Sequence, residues 1–245
     1  MLLNDGLLHR YFYDAAAEKL SVDPLLYYGL LLGVLLVAYF LGSMNSAIVI
    51  SKLVYRDDIR KYGSGNAGMT NMLRTYGKNA ALLTLAGDLL KTVIALIIAA
   101  VVFGFHYMGG ISIGGDLGEC YLAGLFAVLG HIFPVYYRFK GGKGVLVSST
   151  MALVLSPIPF LILLALFVIV VWISRYVSLG SVVVCTLYPV LMHGYFALVF
   201  SSYMPAFTAV TSIAIAIIVF WCHRANLQRI GNRTERKLSF GKKQK

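Results

Sequence analysis

The sequence predicts an all-α, polytopic integral membrane protein with seven transmembrane helices, its N-terminus outside and its C-terminus in the cytoplasm. Three observations predict it. Hydrophobic residues make up 59% of the chain and mean hydropathy is +0.80, above the ~45–50% apolar share of a soluble domain. Apolar stretches of about 20 residues, the length a helix needs to cross a bilayer, recur along almost the whole chain. Finally, 18 of the 21 lysines and arginines fall at 52–78, 138–143, Arg175 and 224–245. These regions can all share one face, and the positive-inside rule makes that face cytoplasmic.

Residues 1–24 form an N-terminal extension. They carry Asp5, Asp14, Glu18 and Asp23 and lack a basic stretch followed by a cleavable apolar one, so no removable signal peptide is expected. Residues 7–20 suit an amphipathic helix lying at the interface. His9 and Asp14 have a spacing in which a carboxylate can orient a histidine base, but they fall on the outer face and read as a chance match. Spans follow at 27–50, 80–104, 120–137, 157–174, 178–198 and 204–222. Residues 145–156 decide the count. Pro157 and Pro159 either kink one helix through 145–174 or end one helix and start another. The six-span reading puts the tail cations opposite the first basic loop, whereas seven spans gather all 18 on one side. Charge asymmetry outweighs length, because packing and local bilayer thinning accommodate a short helix. The membrane domain is thus 25–238, followed by a basic tail at 239–245.

The net charge of +11 would suggest nucleic acid in a soluble protein. Here the cations lie at span ends, so a topology anchor drawn to anionic lipid is expected, with no nucleic-acid partner. Cys120, Cys185 and Cys222 have no CxxC spacing and suggest neither a metal site nor a disulfide framework.

Glycine clusters sit beside cations at the span ends. The first is Gly63-Ser-Gly65-Asn-Ala-Gly68, with Arg74 close behind. It fits the dinucleotide pattern GxGxxG, which has meaning only inside a βαβ unit; here it follows a membrane helix. Ser64, Asn66, Thr70 and Asn71 surround its glycines with short polar side chains. A helix starting at Met69 would face its N-terminus toward a bound anion. The second cluster is Lys140-Gly141-Gly142-Lys143-Gly144. It fails as a P-loop, since Tyr137 stands where the first glycine belongs and Gly144 replaces the Ser/Thr. Glycine lets backbone N–H groups converge on an anion and lysine supplies counter-charge. The bland alternatives are a flexible turn and an interfacial turn with snorkelling lysines.

Asp88 and Lys91 share one face of the second span, where charges are costly; a structural ion pair and a site-supporting pair both remain open. His223 and Asn226 stand three apart at the end of the last span. That histidine is either a helix-end cap or a functional group beside the glycine clusters. Glu235, among Arg233, Arg236 and Lys237, reads as a tether.

Taken together, these residues resemble the bacterial acyl-phosphate-dependent glycerol-3-phosphate acyltransferases, the PlsY family. Three motifs carry the resemblance in order: residues 63–71 with Arg74, residues 130–144 from Gly130-His131 through Phe133-Pro134-Val135 to Gly144, and His223-Arg224-Ala-Asn226 with Glu235. Gly42-Ser43, Asp88 to Lys91 and residues 175–181 add to it, and the likeness covers about residues 30–238. Met69 stands where the family usually has alanine, Asn45 where proline is frequent, Thr92 for glycine, and Leu146-Val147 for Ala-Thr.

The resemblance implies transfer of a fatty acyl group from acyl phosphate to the 1-hydroxyl of glycerol 3-phosphate at the cytoplasmic face of a bacterial inner membrane, by a monomer without cofactor or metal. Arg74, Lys143 and Ser181 would hold the glycerol phosphate. Ser64, Asn66, Gly68, Thr70 and Asn71 would hold the acyl phosphate and the oxyanion, and residues 140–142 would complete the second seat. His223, oriented with help from Asn226, would bind the attacking hydroxyl. The rival reading is a small transporter of organic phosphates. Such proteins place their polar chemistry at the bilayer midplane, whereas here it lies at the boundary.

Overall fold

The computed structural model describes residues 23–104 and 117–238, together with the backbone of four two-residue strands. These are β1 (Tyr13–Asp14), β2 (Lys19–Leu20), β3 (Tyr107–Met108) and β4 (Ile111–Ser112), which pair β1 with β2 and β3 with β4. The helix expected over 7–20 lies mostly outside the described residues, and its two described pieces are extended and antiparallel instead. His9, the Asp14 side chain and the tail at 239–245 also lie outside.

The chain divides into two compact units, Met1–Ser156 with Pro205–Thr208, and Pro157–Met204 with Ala209–Lys245. In the first, α1 (Pro24–Ser43), α4 (Lys78–Phe103), α5 (Gly118–Ile132) and α6 (Val145–Leu155) pack together, and the short helices α2 (Ser46–Val54) and α3 (Met69–Tyr76) both pack on α4. Asp23 caps α1 by accepting from the Leu25 and Leu26 N–H groups at 2.7 and 3.3 Å, with Pro24 in the first turn, where no N–H is needed. A Cβ on Gly42 would run into the Ala127 backbone, and one on Gly130 into the backbone of Tyr39 and Ser43. Bare glycines thus bring α1 and α5 to backbone contact, the small-residue device of membrane helix pairs.

The first span departs from the sequence reading of one helix over 27–50. Helix α1 stops at Ser43 and α2 restarts at Ser46. Asn45 makes the restart: its Oδ1 accepts from Ile48 N–H at 3.1 Å, and its Nδ2 donates to Ala67 O at 3.2 Å.

The second unit holds α7 (Pro157–Ser174), α8 (Val177–Val199), α10 (Arg224–Gly231) and, from Ala209 on, α9 (Ala206–Cys222). Helix α7 packs on α8, and α10 packs on α8 as well. Of the two sequence options at Ser156, the helix break is the one observed: α6 ends at Leu155 and α7 begins on Pro157. Among the described residues five helices are long and apolar enough to cross a membrane, α5 being continued through to Tyr137, and the bent pair α9–α10 makes a sixth candidate. Helix α6, at 11 residues, is shorter than the roughly 17–25 residues of a spanning helix. The protein is an all-helical, multi-pass membrane protein with five to six candidate spans.

Candidate functional site

Helix α3 starts at Met69, as the sequence predicts, and the loop before it is shaped by one side chain. Gly63 and Gly65 have φ of +59° and +71°, a region side chains disfavour, and a Cβ on Gly63 would collide with Asn71 Oδ1. Asn71 is buried beneath the loop. Its Nδ2 donates to the carbonyls of Ile59, Tyr62 and Asn66 at 3.3, 3.0 and 3.0 Å, and its Oδ1 accepts from Ser64 N–H at 3.0 Å. A residue expected to touch substrate therefore holds the loop in shape. Gly65 N–H and Gly68 N–H also turn inward, to Tyr62 O and Asn66 O. Ser64 and Arg74 are exposed, while Asn66, Gly68 and Thr70 are half-buried.

The second loop closes the end of α5. Gly141 N–H donates to Ile132 O at 3.1 Å and Gly142 N–H to His131 O at 3.0 Å, so these two amides satisfy orphan helix carbonyls. A Cβ on Gly142 would meet His131 Nε2 and Ala67 O. Gly142 thereby seats the second loop directly against the first. The Gly141 and Gly142 amides thus bond within the fold, and both glycines leave space that a side chain would fill. Lys140 is exposed and Lys143 half-buried.

Behind both loops lies a charged cluster that the sequence shows only in part. Lys91 Nζ lies 2.8 Å from Asp88 Oδ1, 3.0 and 3.2 Å from the Gly42 and Met44 carbonyls, and 2.9 Å from His131 Nδ1. Ser46 Oγ donates to Asp88 at 2.9 Å. Asp88 is 1% and Lys91 6% exposed. The ammonium thus caps the end of α1 at its break, and the carboxylate anchors the start of α2. The structure shows the ion-pair role, and the same cluster reaches His131, which lies beneath Gly142. His131 had a place in the second motif but no assigned role. Its burial was visible as a histidine inside an apolar run, but its partners were not.

In the second unit, His223 is buried at the end of α9, and its Nδ1 stands 2.8 Å from Val219 O. A carbonyl only accepts, so Nδ1 carries a hydrogen, which in the neutral ring leaves the lone pair on Nε2. A backbone carbonyl thus takes part in orienting the ring. Asn226 Nδ2 donates to Glu235 Oε1 at 2.7 Å. Ser178 Oγ reaches the same oxygen at 3.0 Å, and Arg229 Nε reaches Oε2 at 2.7 Å. Glu235 is the expected tether, joining α8 to α10. Burial pushes its carboxyl upward, but the hydrogen bonds from Asn226, Arg229 and Ser178 outweigh that and hold it below the usual glutamate range. Ser181 is buried, with its Oγ donating to Val177 O at 2.9 Å.

Cationic glycine loops at helix ends, a histidine in a fixed tautomer and several apolar spans define a multi-pass membrane protein built around polar loops at helix boundaries. Residues 32–233 match the family model of glycerol-3-phosphate acyltransferase. The chain belongs to that family and is a membrane glycerol-3-phosphate acyltransferase of phospholipid synthesis. It is 40% identical over 211 residues to the glycerol-3-phosphate acyltransferase of Finegoldia magna, spanning 86% of this chain and 96% of that one. It is 33% identical over 230 residues to that of Chlorobium luteolum (86% and 98% covered), and 35% over 207 residues to that of Bacillus subtilis (84% and 96%). The crystal structure of PlsY (YgiH), an integral membrane glycerol 3-phosphate acyltransferase, in its glycerol 3-phosphate form superposes with a TM-score of 0.73 at 31% identity, covering 86% of this chain and 96% of that one. Its lysophosphatidic acid form gives 0.70 at 30% identity, with the same coverage.

Proposed function

We propose that this acyltransferase takes its acyl group from acyl phosphate and delivers it to the 1-hydroxyl of glycerol 3-phosphate, yielding lysophosphatidic acid and inorganic phosphate. The observation that carries the reading is the seating of residues 140–144 against residues 63–71 at Gly142 and Ala67. Two joined loops, each with its own cation, suit a reaction between two phosphorylated substrates. The acyl phosphate is already activated, so no enzyme nucleophile is needed. The hydroxyl must lose a proton, and the tetrahedral oxyanion must be stabilised.

Arg74, Lys143 and Ser181 bind the glycerol phosphate. Ser64, Asn66, Gly68 and Thr70 receive the acyl phosphate on a loop that Asn71 shapes, with Lys140 and the glycines beside it completing the second loop. His223 presents Nε2 to the hydroxyl, and Asn226, held by Glu235, supports the same end of the helix. As the C1 oxygen attacks the acyl carbon, the acyl–phosphate C–O bond breaks. The proton passes to Nε2 or to a substrate phosphate, and phosphate leaves. Seven spans, with α6 as the short one, put this chemistry on the cytoplasmic face, and a monomer suffices. The test is phosphate release from acyl phosphate by the purified protein, with the lipid product identified. Release should require glycerol 3-phosphate; release without it, or no lysophosphatidic acid, overturns the reading.

A further inference from the structure

Arg60 has no substrate role above, yet it ties together the two loops that do. Its Nε and a terminal nitrogen grip Asp58 at 2.9 and 2.6 Å, and Asp58 also accepts the Arg60 backbone N–H at 3.0 Å. Asp58 thereby caps the short 3-10 turn Ile59–Lys61, from which residues 63–71 continue. The other terminal nitrogen of Arg60 crosses to the second loop. There it donates to Tyr137 O at 3.1 Å and Lys140 O at 3.0 Å. Between those two carbonyls stand Arg138 and Phe139, each with φ of +57°. Two successive side-chain-bearing residues in the left-handed region persist only where their surroundings hold them. Residues 140–144 follow at once.

The same guanidinium lies 6.0 Å from the centre of the Tyr137 ring, and Lys52 Nζ lies 5.4 Å from that centre. Hydrogen bonds from Arg60 hold the Asp58 carboxyl below its ordinary range against partial burial, so the pair stays charged. The guanidinium sends Nε and one terminal nitrogen to the carboxylate and its other terminal nitrogen to the two carbonyls, a spread of donor directions that the single point of an ammonium does not reproduce.

We propose that Arg60 is a positioning residue for glycerol 3-phosphate: it fixes the left-handed turn that aims Lys143, and so sets the second loop relative to the first. This rests on the assignment of Lys143 to the phosphate of glycerol 3-phosphate.

The test compares Arg60→Lys, Arg60→Gln, Lys143→Ala and the Arg60→Gln/Lys143→Ala double variant, as full chains in detergent. Thermal stability and separate KM values for the two substrates are measured. Arg60→Lys should fold, yet raise KM for glycerol 3-phosphate about tenfold or more, on the scale of a misplaced binding group, while KM for acyl phosphate moves less than about twofold. With Lys143 absent, removing Arg60 should add little, because it acts through the same contact. A folded Arg60→Lys with unchanged KM for glycerol 3-phosphate overturns the proposal, as do fully additive losses in the double variant. Failure of both Arg60 variants to fold makes Arg60 a folding residue and overturns it too. If Lys143→Ala leaves that KM unchanged, the substrate assignment has failed and the proposal falls with it. A raised KM in Lys143→Ala alone rejects only the coupling.

Discussion

At the scale of single residues, His223 separates two chemistries. Its Nδ1–H on Val219 O leaves the neutral ring's lone pair on Nε2, the atom a general base needs. His223→Asn keeps hydrogen-bonding capacity but cannot accept a proton near neutral pH. If Nε2 takes the proton, turnover at saturating substrates should fall about 10²–10⁴-fold, the range of general acid–base catalysis. If a substrate phosphate takes it, Asn should retain much more. Thermal stability in detergent is measured alongside, and near-native turnover in His223→Ala would reduce this histidine to a cap. Asn71 shows where residue-level reading stops. Its polarity and place in a glycine motif were legible, but the direction of its amide was not. Three of its bonds go to carbonyls within the preceding loop, and only the folded loop reveals that they converge. The internal partners of Gly141 and Gly142 were hidden for the same reason, since the carbonyls they meet belong to the end of α5.

Among elements, the break between α1 and α2 depends on a cation supplied by α4. Lys91→Met would leave the Gly42 and Met44 carbonyls and the Asp88 carboxylate buried without their partner, and should cost about 3–5 kcal/mol, the range for splitting a buried pair. Unfolding in detergent should show this. Asp88→Asn combined with Lys91→Met should cost less than the two single losses summed. The break itself was only faintly marked in the sequence. Ser43, Asn45 and Ser46 interrupt the apolar run without a proline, and the Lys91 ammonium that donates to the freed carbonyls lies far along the chain. The start of α3 and the break at Ser156 were legible, because glycine and proline mark them locally. The Glu235 tether between α8 and α10 makes a prediction in pH. Its carboxyl titrates below the usual range, so its stabilisation is complete above the ordinary glutamate pKa and is lost as pH falls through the lowered value. Thermal midpoints should therefore drop in acid, and Glu235→Gln should flatten that part of the curve. An unchanged slope in Glu235→Gln would reject the tether.

For the whole molecule, charge distribution predicts which loops face the cytoplasm. Single cysteines at Asn66, Lys140 and Gln228 in a cysteine-free background should be shielded from an impermeant thiol reagent outside intact cells, whereas one at Tyr203 should be labelled. Labelling at Gln228 with protection at Tyr203 would restore six spans. The membrane class and the order of the helices were legible from hydropathy and cations alone. The number of crossings was not, because α6 is short and only its neighbours' charges argue for it. The interrupted first span also bears on how the chain is made. Segment 24–54 leaves the ribosome before Lys91 has been synthesised, so the Gly42 and Met44 carbonyls have no ammonium waiting for them. A lone first span is therefore expected to enter the bilayer as one unbroken helix, its i-to-i+4 bonds intact across Met44. The interruption is then installed when α4 arrives, and the nascent chain must unwind part of a finished helix to reach its mature form.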